Sequence, residues 1–312
     1  MKSINIFLNQ KEVLNINNGL IQDSEGGIYN SSFFIKDDKK YVISRVEKNN
    51  ELERHERHTQ HKPVIFSLSD DFVIQSHNDY KFIYDGDINE KLIQHGIERS
   101  GYQNYRIEDY RIFEWNNELW TNHNLNLAFT RPVISKINLE KNQLEHKKIK
   151  VFRMLNGIEK NWLFFEHNSK LKFIYSIYPF VIMSSEDGYE FHKEIYSKIE
   201  INKNIFWSGS TNPVFLDNNT YMFFVHYRDE NKIYCHHLML MDKETLQPIL
   251  ISENPVFREE DNGGIKSNVL YLMSHTRISN EDWIFSFGVG DFNSKLILIK
   301  HGDILKEISK ND

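Results

Sequence analysis

Short apolar segments that alternate with polar positions recur along the chain, and turn-forming residues separate them in pairs. Alternation with a period of two is typical of a β-strand with one buried face, and Asn, Asp and Ser favour tight turns between strands. Five strand–turn–strand units follow this pattern, with turns at Asp37-Asp38, Asn116-Asn117, Asn168-Ser169, Asn218-Asn219 and near Asn280. The pattern therefore predicts an all-β protein built from repeated hairpins.

The spacing of these hairpins indicates the architecture. Successive turns lie about 50 to 60 residues apart, and only the first interval is longer, because it holds a further strand pair at 63–69 and 71–85. Even repeats of this length are typical of propeller blades, so five of them predict a five-bladed β-propeller. Because a closed ring needs no linker, residues 1–312 are predicted to form a single catalytic domain. The alternative is a long β-sandwich with irregular hairpins.

Three segments lack the strand pattern. The charge-dense stretch 48–62 is compatible with a short helix or a solvated loop, and 88–98 and 188–199 are predicted as short helices.

Composition narrows the class of protein. The single cysteine, Cys235, excludes an internal disulfide, and the formal charge of −6 argues against nucleic acid or an anionic membrane as partner. No stretch of about 18 apolar residues occurs, so membrane insertion is not expected. The start of the chain lacks the apolar run of a signal peptide. We therefore expect a cytoplasmic protein, and the sequence gives no indication of its oligomeric state.

Polar residues cluster at the ends of the repeated hairpins, where a propeller brings equivalent positions of its blades together around the channel. The candidates are Asn30, Arg45, Glu47, Glu108, Asp109, Arg111, Lys160, Asn161, Thr211, His226, Arg228 and Asp291. Carboxylates and cations that face one another shift each other's pKa, as an acid–base site requires. Any one of these charges alone is explained by a surface salt bridge, but their recurrence in five repeats favours a shared site.

Several of these elements resemble a known family when taken in order. The segment Glu108-Asp109-Tyr110-Arg111 resembles the EDPR signature of glycoside hydrolase family 130, the β-mannoside phosphorylases and hydrolases. Relatives in glycosyltransferase family 108 share that pattern. SGSTNPVF followed by YMFFVHYR, and the turn at 288–291, resemble later elements of the same family. The resemblance spans roughly residues 27–300 and implies a five-bladed propeller that acts on carbohydrate.

The resemblance also implies roles for individual residues. Asp109 matches the catalytic aspartate, the general acid, and Arg111 and His226 match positions that hold the attacking phosphate. Asp291 matches a carboxylate that binds sugar hydroxyls, and Arg45 and Lys160 match cationic positions near the anion pocket. Two departures are visible: Tyr110 replaces a proline, and Ser176 or Ile177 stands where phosphorylases carry an arginine.

These residues lead to an inverting glycosyl-transfer enzyme as the first hypothesis. Inversion needs a proton donor on one side of the sugar and a nucleophile on the other. A phosphorylase, or a transferase with a sugar-phosphate or sugar-nucleotide donor, replaces the second carboxylate by an anion held by Arg, Lys and His. The sugar is expected to be mannose or a related hexose. A glycoside hydrolase of the same fold and a non-catalytic glycan-binding propeller remain the alternatives.

Weaker signals complete the prediction. His55, His58 and His61 have a helical spacing but no HExxH pattern, so a solvated loop is expected, and neither a metal nor a cofactor is predicted. Cys235 is expected in the core. The five tryptophans are expected to pack between blades, with Trp207 as the candidate for stacking on a sugar ring.

Overall fold

The strands of the protein form five sheets that follow one another along the chain. The computed structural model describes residues 1–16, 27–47, 61–83, 106–126, 130–151, 159–258, 269–290 and 292–309. Each sheet contains a meander of antiparallel strands, and inner strands of neighbouring sheets contact one another. The predicted five-bladed β-propeller is therefore confirmed.

The first three blades come from the middle of the chain. The first blade contains β3 (Gly27–Lys36), β4 (Lys39–Glu47), β5 (His61–Leu68) and β6 (Ile74–Asp79). The second contains β8 (Arg106–Trp115), β9 (Glu118–Asn126), β10 (Thr130–Asn138), β11 (Gln143–Lys147) and, parallel to β11 at the edge, β7 (Lys81–Ile83). The third contains β13 (Leu163–His167), β14 (Lys170–Ser176), β15 (Phe180–Ser185), β16 (Glu190–Ser197) and the edge strand β12 (Lys150–Val151).

The last two blades combine strands from both ends of the chain. The fourth contains β17 (Ser208–Gly209), β18 (Val214–Phe215), β19 (Thr220–Arg228), β20 (Tyr234–Asp242), β21 (Pro248–Ser252) and the parallel edge strand β1 (Lys2–Ile4). The fifth contains β22 (Leu270–Arg277), β23 (Asp282–Val289), β24 (Asn293–Lys300) and the antiparallel edge strand β2 (Lys11–Ile16). Helix α1 (His301–Ser309) follows β24. The N-terminal segment therefore completes two blades and closes the ring.

The predicted hairpin turns are confirmed. Asp37-Asp38, Asn116-Asn117 and Asn168-Ser169 each connect paired strands, and all six residues have φ between 50° and 60°. Two successive residues with positive φ define the type I′ turn, whose twist matches that of the flanking strands. The first interval also contains the predicted additional strands, which are β5, β6 and β7.

The hydrophobic core is divided among the contacts between blades. The described residues form five apolar clusters, and each cluster joins two neighbouring blades. Ile16 on β2, for example, packs in the cluster between the fifth and first blades, and Trp162 packs between the second and third. Burial of Trp115, Trp120, Trp162 and Trp283 agrees with their predicted packing role, and Cys235 is buried as expected.

One predicted helix is wrong. Residues 188–199 contain strand β16, which pairs with β15 over most of its length. Its partner on the outer side is the two-residue strand β12, so most side chains of β16 face solvent and are charged or polar. Charged residues protect sheet edges from further pairing, and here they imitate a solvated helix. The predicted helix 88–98 and most of the charged stretch 48–62 lie outside the described residues.

Candidate active site

Two inner strands carry the same distortion where they enter the channel. Register shifts between Tyr29 and Ser32 on β3, and between Glu108 and Arg111 on β8, mark a bulge in each strand. Asn30 and Asp109 lie in these bulges with φ of 53° and 62°. Bulges redirect side chains, and positive φ is tolerated best by Gly, Asn and Asp. Asn161, just before β13, has φ of 63° and repeats the feature in the third blade.

A cavity of about 400 Å³ opens at this end of the channel. Its lining includes eight of the residues predicted from the sequence: Asn30, Arg45, Glu108, Asp109, Lys160, Asn161, His226 and Arg228. Blades one to four each supply at least one of these side chains. Volumes of this size are typical of small-molecule sites.

Asp109 is held by two amide side chains. Nδ2 of Asn30 donates to Oδ1 of Asp109 at 2.8 Å, and Nδ2 of Asn124 approaches Oδ2 at 3.4 Å. A guanidinium nitrogen of Arg111 lies 4.0 Å from the same Oδ2. The side chain of Asp109 retains 14% of its exposure, so it reaches the cavity while its orientation is set from below.

Arg111 is buried beneath the cavity rather than in its lining. It is 1% exposed, and Nε donates to the carbonyl oxygen of Ser210. One terminal nitrogen donates to Oδ1 of Asn161 at 3.1 Å and to the hydroxyl of Tyr271 at 2.8 Å. The other donates to the backbone oxygen of Asp109 at 3.4 Å. Arg111 therefore ties blades two to five together, and its donors point at protein groups.

His226 belongs to a buried chain of hydrogen bonds. Its Nδ1 lies 2.8 Å from Oγ of Ser210, and the same Oγ lies 3.0 Å from Nδ1 of His236. Burial, and then the neighbouring His236, hold the pKa of His226 well below its usual value of 6.5, and nearby Arg111, Lys160 and Arg228 act in the same direction. His226 is therefore neutral near pH 7 and offers the cavity a hydrogen-bonding imidazole without a charge.

Three cations surround the cavity. Arg45 lies 3.5 Å from a carboxylate oxygen of Glu108, and its guanidinium carbon lies 4.8 Å from the ring centre of Tyr29. The guanidinium of Arg228 covers the ring of Tyr234 at 4.5 Å, and Lys160 is exposed. Positively charged groups in a partly enclosed cavity attract anions, and a guanidinium binds phosphate in a defined geometry.

Besides Arg111, the predicted residues Thr211 and Trp207 are not part of this lining. Thr211 is fully buried, and its hydroxyl accepts a hydrogen bond from the backbone of Phe224 at 2.9 Å. Trp207 packs edge-on against Tyr227 and His237, with ring centres 5.1 Å apart in both contacts. The side chain of Glu47 and the whole of Asp291 lie outside the described residues, so their roles stay predictions.

Sequence analysis missed several residues of the site. Phe206, Tyr234 and Tyr271 line the cavity, and Asn124, Ser210 and His236 support it from behind. The available signal for Tyr271 was its place at the start of the fifth inner strand, equivalent to that of Asp109. Phe206 is 86% exposed and lies in a segment without strand periodicity, where no pattern marks it.

Two further features concern metals and membranes. Within the described ranges, His, Cys, Asp and Glu do not form a group of three that is suited to a metal ion. His55 and His58 lie outside those ranges. None of the described helices is long and apolar enough to cross a bilayer.

Comparison with known proteins identifies the fold. No family model and no curated protein matches the sequence. A β-1,2-mannobiose phosphorylase from Listeria innocua, in complex with β-1,2-mannobiose, superimposes with a TM-score of 0.64, 13% identity, and coverage of 98% of this chain and 99% of that one. A glycosyl hydrolase from Bacteroides ovatus has a TM-score of 0.69, 12% identity and 96% coverage of both chains.

A third solved structure belongs to family GH130. It comes from work on glycoside hydrolases within the mannoside phosphorylase family GH130 that target β-1,2-mannosidic linkages in Candida mannan. Its TM-score is 0.68, with 13% identity and 96% coverage of both chains. The chain therefore has the five-bladed β-propeller fold of glycoside hydrolase family 130 structures.

Proposed function

We propose that the protein is an inverting glycoside phosphorylase that cleaves a β-mannoside with inorganic phosphate. One observation carries the proposal: Asp109 lies at the floor of a cavity whose described lining contains three cations, Arg45, Lys160 and Arg228, and one other carboxylate, Glu108. Glu108 faces Arg45 at 3.5 Å, which leaves Asp109 as the carboxylate suited to proton transfer.

The contacts of Asp109 support one of its oxygens as the proton donor. Oδ1 accepts the short hydrogen bond from Asn30, so Oδ2, with its longer contacts, is the oxygen that carries the proton. Protonated Asp109 donates this proton to the glycosidic oxygen as the bond between that oxygen and the anomeric carbon breaks. The leaving sugar departs with a new hydroxyl group, and Asp109 becomes a carboxylate.

The nucleophile comes from the opposite face of the sugar ring. Phosphate held by Lys160, Arg228 and Arg45 attacks the anomeric carbon, and the new carbon–oxygen bond has the inverted configuration. A β-mannoside then yields α-mannose 1-phosphate. Neutral His226 contributes a hydrogen bond to the substrates, since burial keeps its pKa low.

Two solved neighbours support the choice of sugar and anion. The Listeria innocua structure is a β-1,2-mannobiose phosphorylase, and a further neighbour is a mannose phosphorylase from Leishmania mexicana in complex with a phosphate ion. The latter has a TM-score of 0.60 and 13% identity, and the match covers 94% of this chain and 89% of that one.

Hydrolysis is the second candidate, because the third blade departs from the phosphorylase pattern. Ile177 is buried in the core between the third and fourth blades, and the hydroxyl of Ser176 donates to the backbone oxygen of Pro179 at 2.6 Å. Neither residue supplies a cation to the anion pocket. A hydrolase needs instead a second carboxylate about 6.5–9.5 Å from the acid, and Glu47, Glu108 and Asp291 are the candidates for it.

Product analysis distinguishes the candidates. The protein is incubated with β-1,2-mannobiose with and without phosphate, and ³¹P NMR and a reducing-sugar assay follow the products. We expect mannose 1-phosphate to form only with phosphate present. Free mannose in phosphate-free buffer would indicate a hydrolase instead. Turnover restricted to sugar nucleotides would indicate a transferase, and glycan binding without turnover of any donor would indicate a binding module.

A further inference from the structure

The amide of Asn30 is clamped between Asp109 and a glycine of the fifth blade. Gly288 lies on β23, opposite Tyr271 on the inner strand β22. A Cβ atom built on Gly288 would lie 2.0 Å from Oδ1 of Asn30 and 3.0 Å from its backbone nitrogen. The amide oxygen thus occupies the space that any other residue at 288 would fill.

The contacts of the Asn30 amide determine which way it faces, with Nδ2 toward Asp109 and Oδ1 toward Gly288. Its Oδ1 is buried, and no described donor lies within hydrogen-bonding distance of it. Its Nδ2 donates to Asp109 at 2.8 Å, and a carboxylate oxygen requires a donor there. A buried acceptor without a partner is destabilising, so the arrangement is maintained by the packing around it.

Gly288 itself is under no backbone constraint of its own. Among the glycines that the structure describes, those with positive φ are Gly27, Gly188 and Gly290, and Gly288 is not one of them. An alanine at 288 is therefore compatible with the strand backbone, and the contact with Asn30 is what excludes it. The side chain of Asn30 is short and buried, so it has little room to move away from an added Cβ.

We infer that Gly288 is a positioning residue for Asp109 and acts through Asn30. The inference rests on the proposed role of Asp109 as the general acid. A Cβ at 288 pushes the Asn30 amide away, and the hydrogen bond to Oδ1 is lost or lengthened. Asp109 then loses the hydrogen bond to Oδ1 that keeps its Oδ2 directed at the substrate. A displacement of a catalytic group by about 1 Å costs about 100-fold in rate.

A double-mutant cycle tests this link. Gly288→Ala, Asn30→Gly and the double variant are compared by kcat and KM for mannobiose, with Gly302→Ala as the control because an added Cβ there meets nothing within 4 Å. Glycine at position 30 removes the amide and tolerates the φ of 53° at this position. We expect Gly288→Ala to lower kcat about 10- to 100-fold with little change in KM. The double variant should be no slower than Asn30→Gly alone, because the group through which Gly288 acts is already gone.

Stability provides a second readout that does not need turnover. Gly288→Ala should lower Tm, and Asn30→Gly in the same chain should restore part of that loss, since it removes the clashing oxygen without adding strain at the positive φ of position 30. A crystal structure of Gly288→Ala should show the Asn30 amide beyond hydrogen-bonding distance of Asp109.

Two results would overturn the inference: losses in kcat that multiply in the double variant, or an intact Asn30–Asp109 hydrogen bond in Gly288→Ala. A wild-type protein that turns over no glycoside would contradict the proposed function, and the crystal structure would still decide whether Gly288 sets the position of Asp109.

Discussion

At the residue scale, the site separates a buried arginine from exposed cations. Arg111 makes its hydrogen bonds to Ser210, Asn161, Tyr271 and the Asp109 backbone, whereas Lys160 points into solvent at the rim. The family resemblance places Arg111 and His226 at positions that hold phosphate. The burial of Arg111 instead favours a structural role for this residue, because its guanidinium already donates to acceptors from four blades.

Two substitutions separate these roles. Arg111→Lys keeps the charge but loses the planar fork, so we expect the free energy of unfolding to fall by about 3 kcal/mol. Lys160→Ala removes an exposed ligand of the anion, so KM for phosphate should rise about 10-fold, or ~1.4 kcal/mol, with Tm unchanged. Urea denaturation and steady-state kinetics measure both. An Arg111→Lys protein with wild-type stability and a raised KM for phosphate would return Arg111 to the anion site.

At the element scale, the turn residues explain why the hairpins could be predicted. Asn and Asp pairs tolerate the two positive φ values of a type I′ turn, and this local chemistry is visible in the sequence. The edge strands could not be predicted in the same way, because their pairing depends on distant partners. The charged and polar residues of β16 therefore predict a helix where the structure has a strand, and the pairing of β1 and β2 with the last two blades has no local signal in the sequence.

The turn at Asn168-Ser169 provides a test at this scale. Ser169 is exposed and has φ of 60°, a conformation that costs a residue with a Cβ about 1–2 kcal/mol. Ser169→Gly relieves that cost, but the greater conformational entropy of glycine in the unfolded chain offsets part of the gain. The free energy of unfolding should therefore rise by up to about 1 kcal/mol. Asn168→Gly is the control, and its free energy of unfolding should rise less, because Asn tolerates positive φ. Destabilisation by Ser169→Gly in urea denaturation would contradict the assigned turn.

At the scale of the whole molecule, sequence predicted the ring but not the contacts inside it. Repeated hairpins indicated five blades, and the EDYR segment indicated Asp109. The bulges that aim Asn30 and Asp109 into one cavity arise from register shifts, which alternation does not reveal. The hydrogen bonds that cross between blades, such as Ser210 with His236 and Arg111 with Tyr271, require the closed ring.

The packed ring also predicts sensitivity to acid. Burial lowers the pKa of His236 and of His275 to about 3, while both titrate near 6.5 in the unfolded chain. The unfolded state therefore binds more protons between these values, so stability is full above about pH 6.5 and is lost as pH falls below it. Each such histidine contributes up to about 1.4 kcal/mol per pH unit to the slope of the free energy of unfolding against pH.

Urea midpoints between pH 7.5 and 5 measure this slope before most carboxylates titrate. His275 lies away from the candidate site and donates to the backbone oxygen of Met222 at 3.0 Å. His275→Phe should be less stable at pH 7.5, because that oxygen loses its donor, but its stability should depend less on pH. An unchanged slope would show that His275 is not a source of the acid sensitivity.

The central claim is that Asp109 donates the proton during inverting glycosyl transfer, and Asp109→Asn tests it most directly. Asparagine has the same shape and tolerates the φ of 62° at this position, so the fold should persist with an unchanged Tm. The control is Glu114→Gln, an exposed carboxylate on the same strand. We predict that formation of mannose 1-phosphate from mannobiose and phosphate falls at least about 100-fold in Asp109→Asn and stays at the wild-type rate in Glu114→Gln. A folded Asp109→Asn protein with near-wild-type turnover would contradict the assignment.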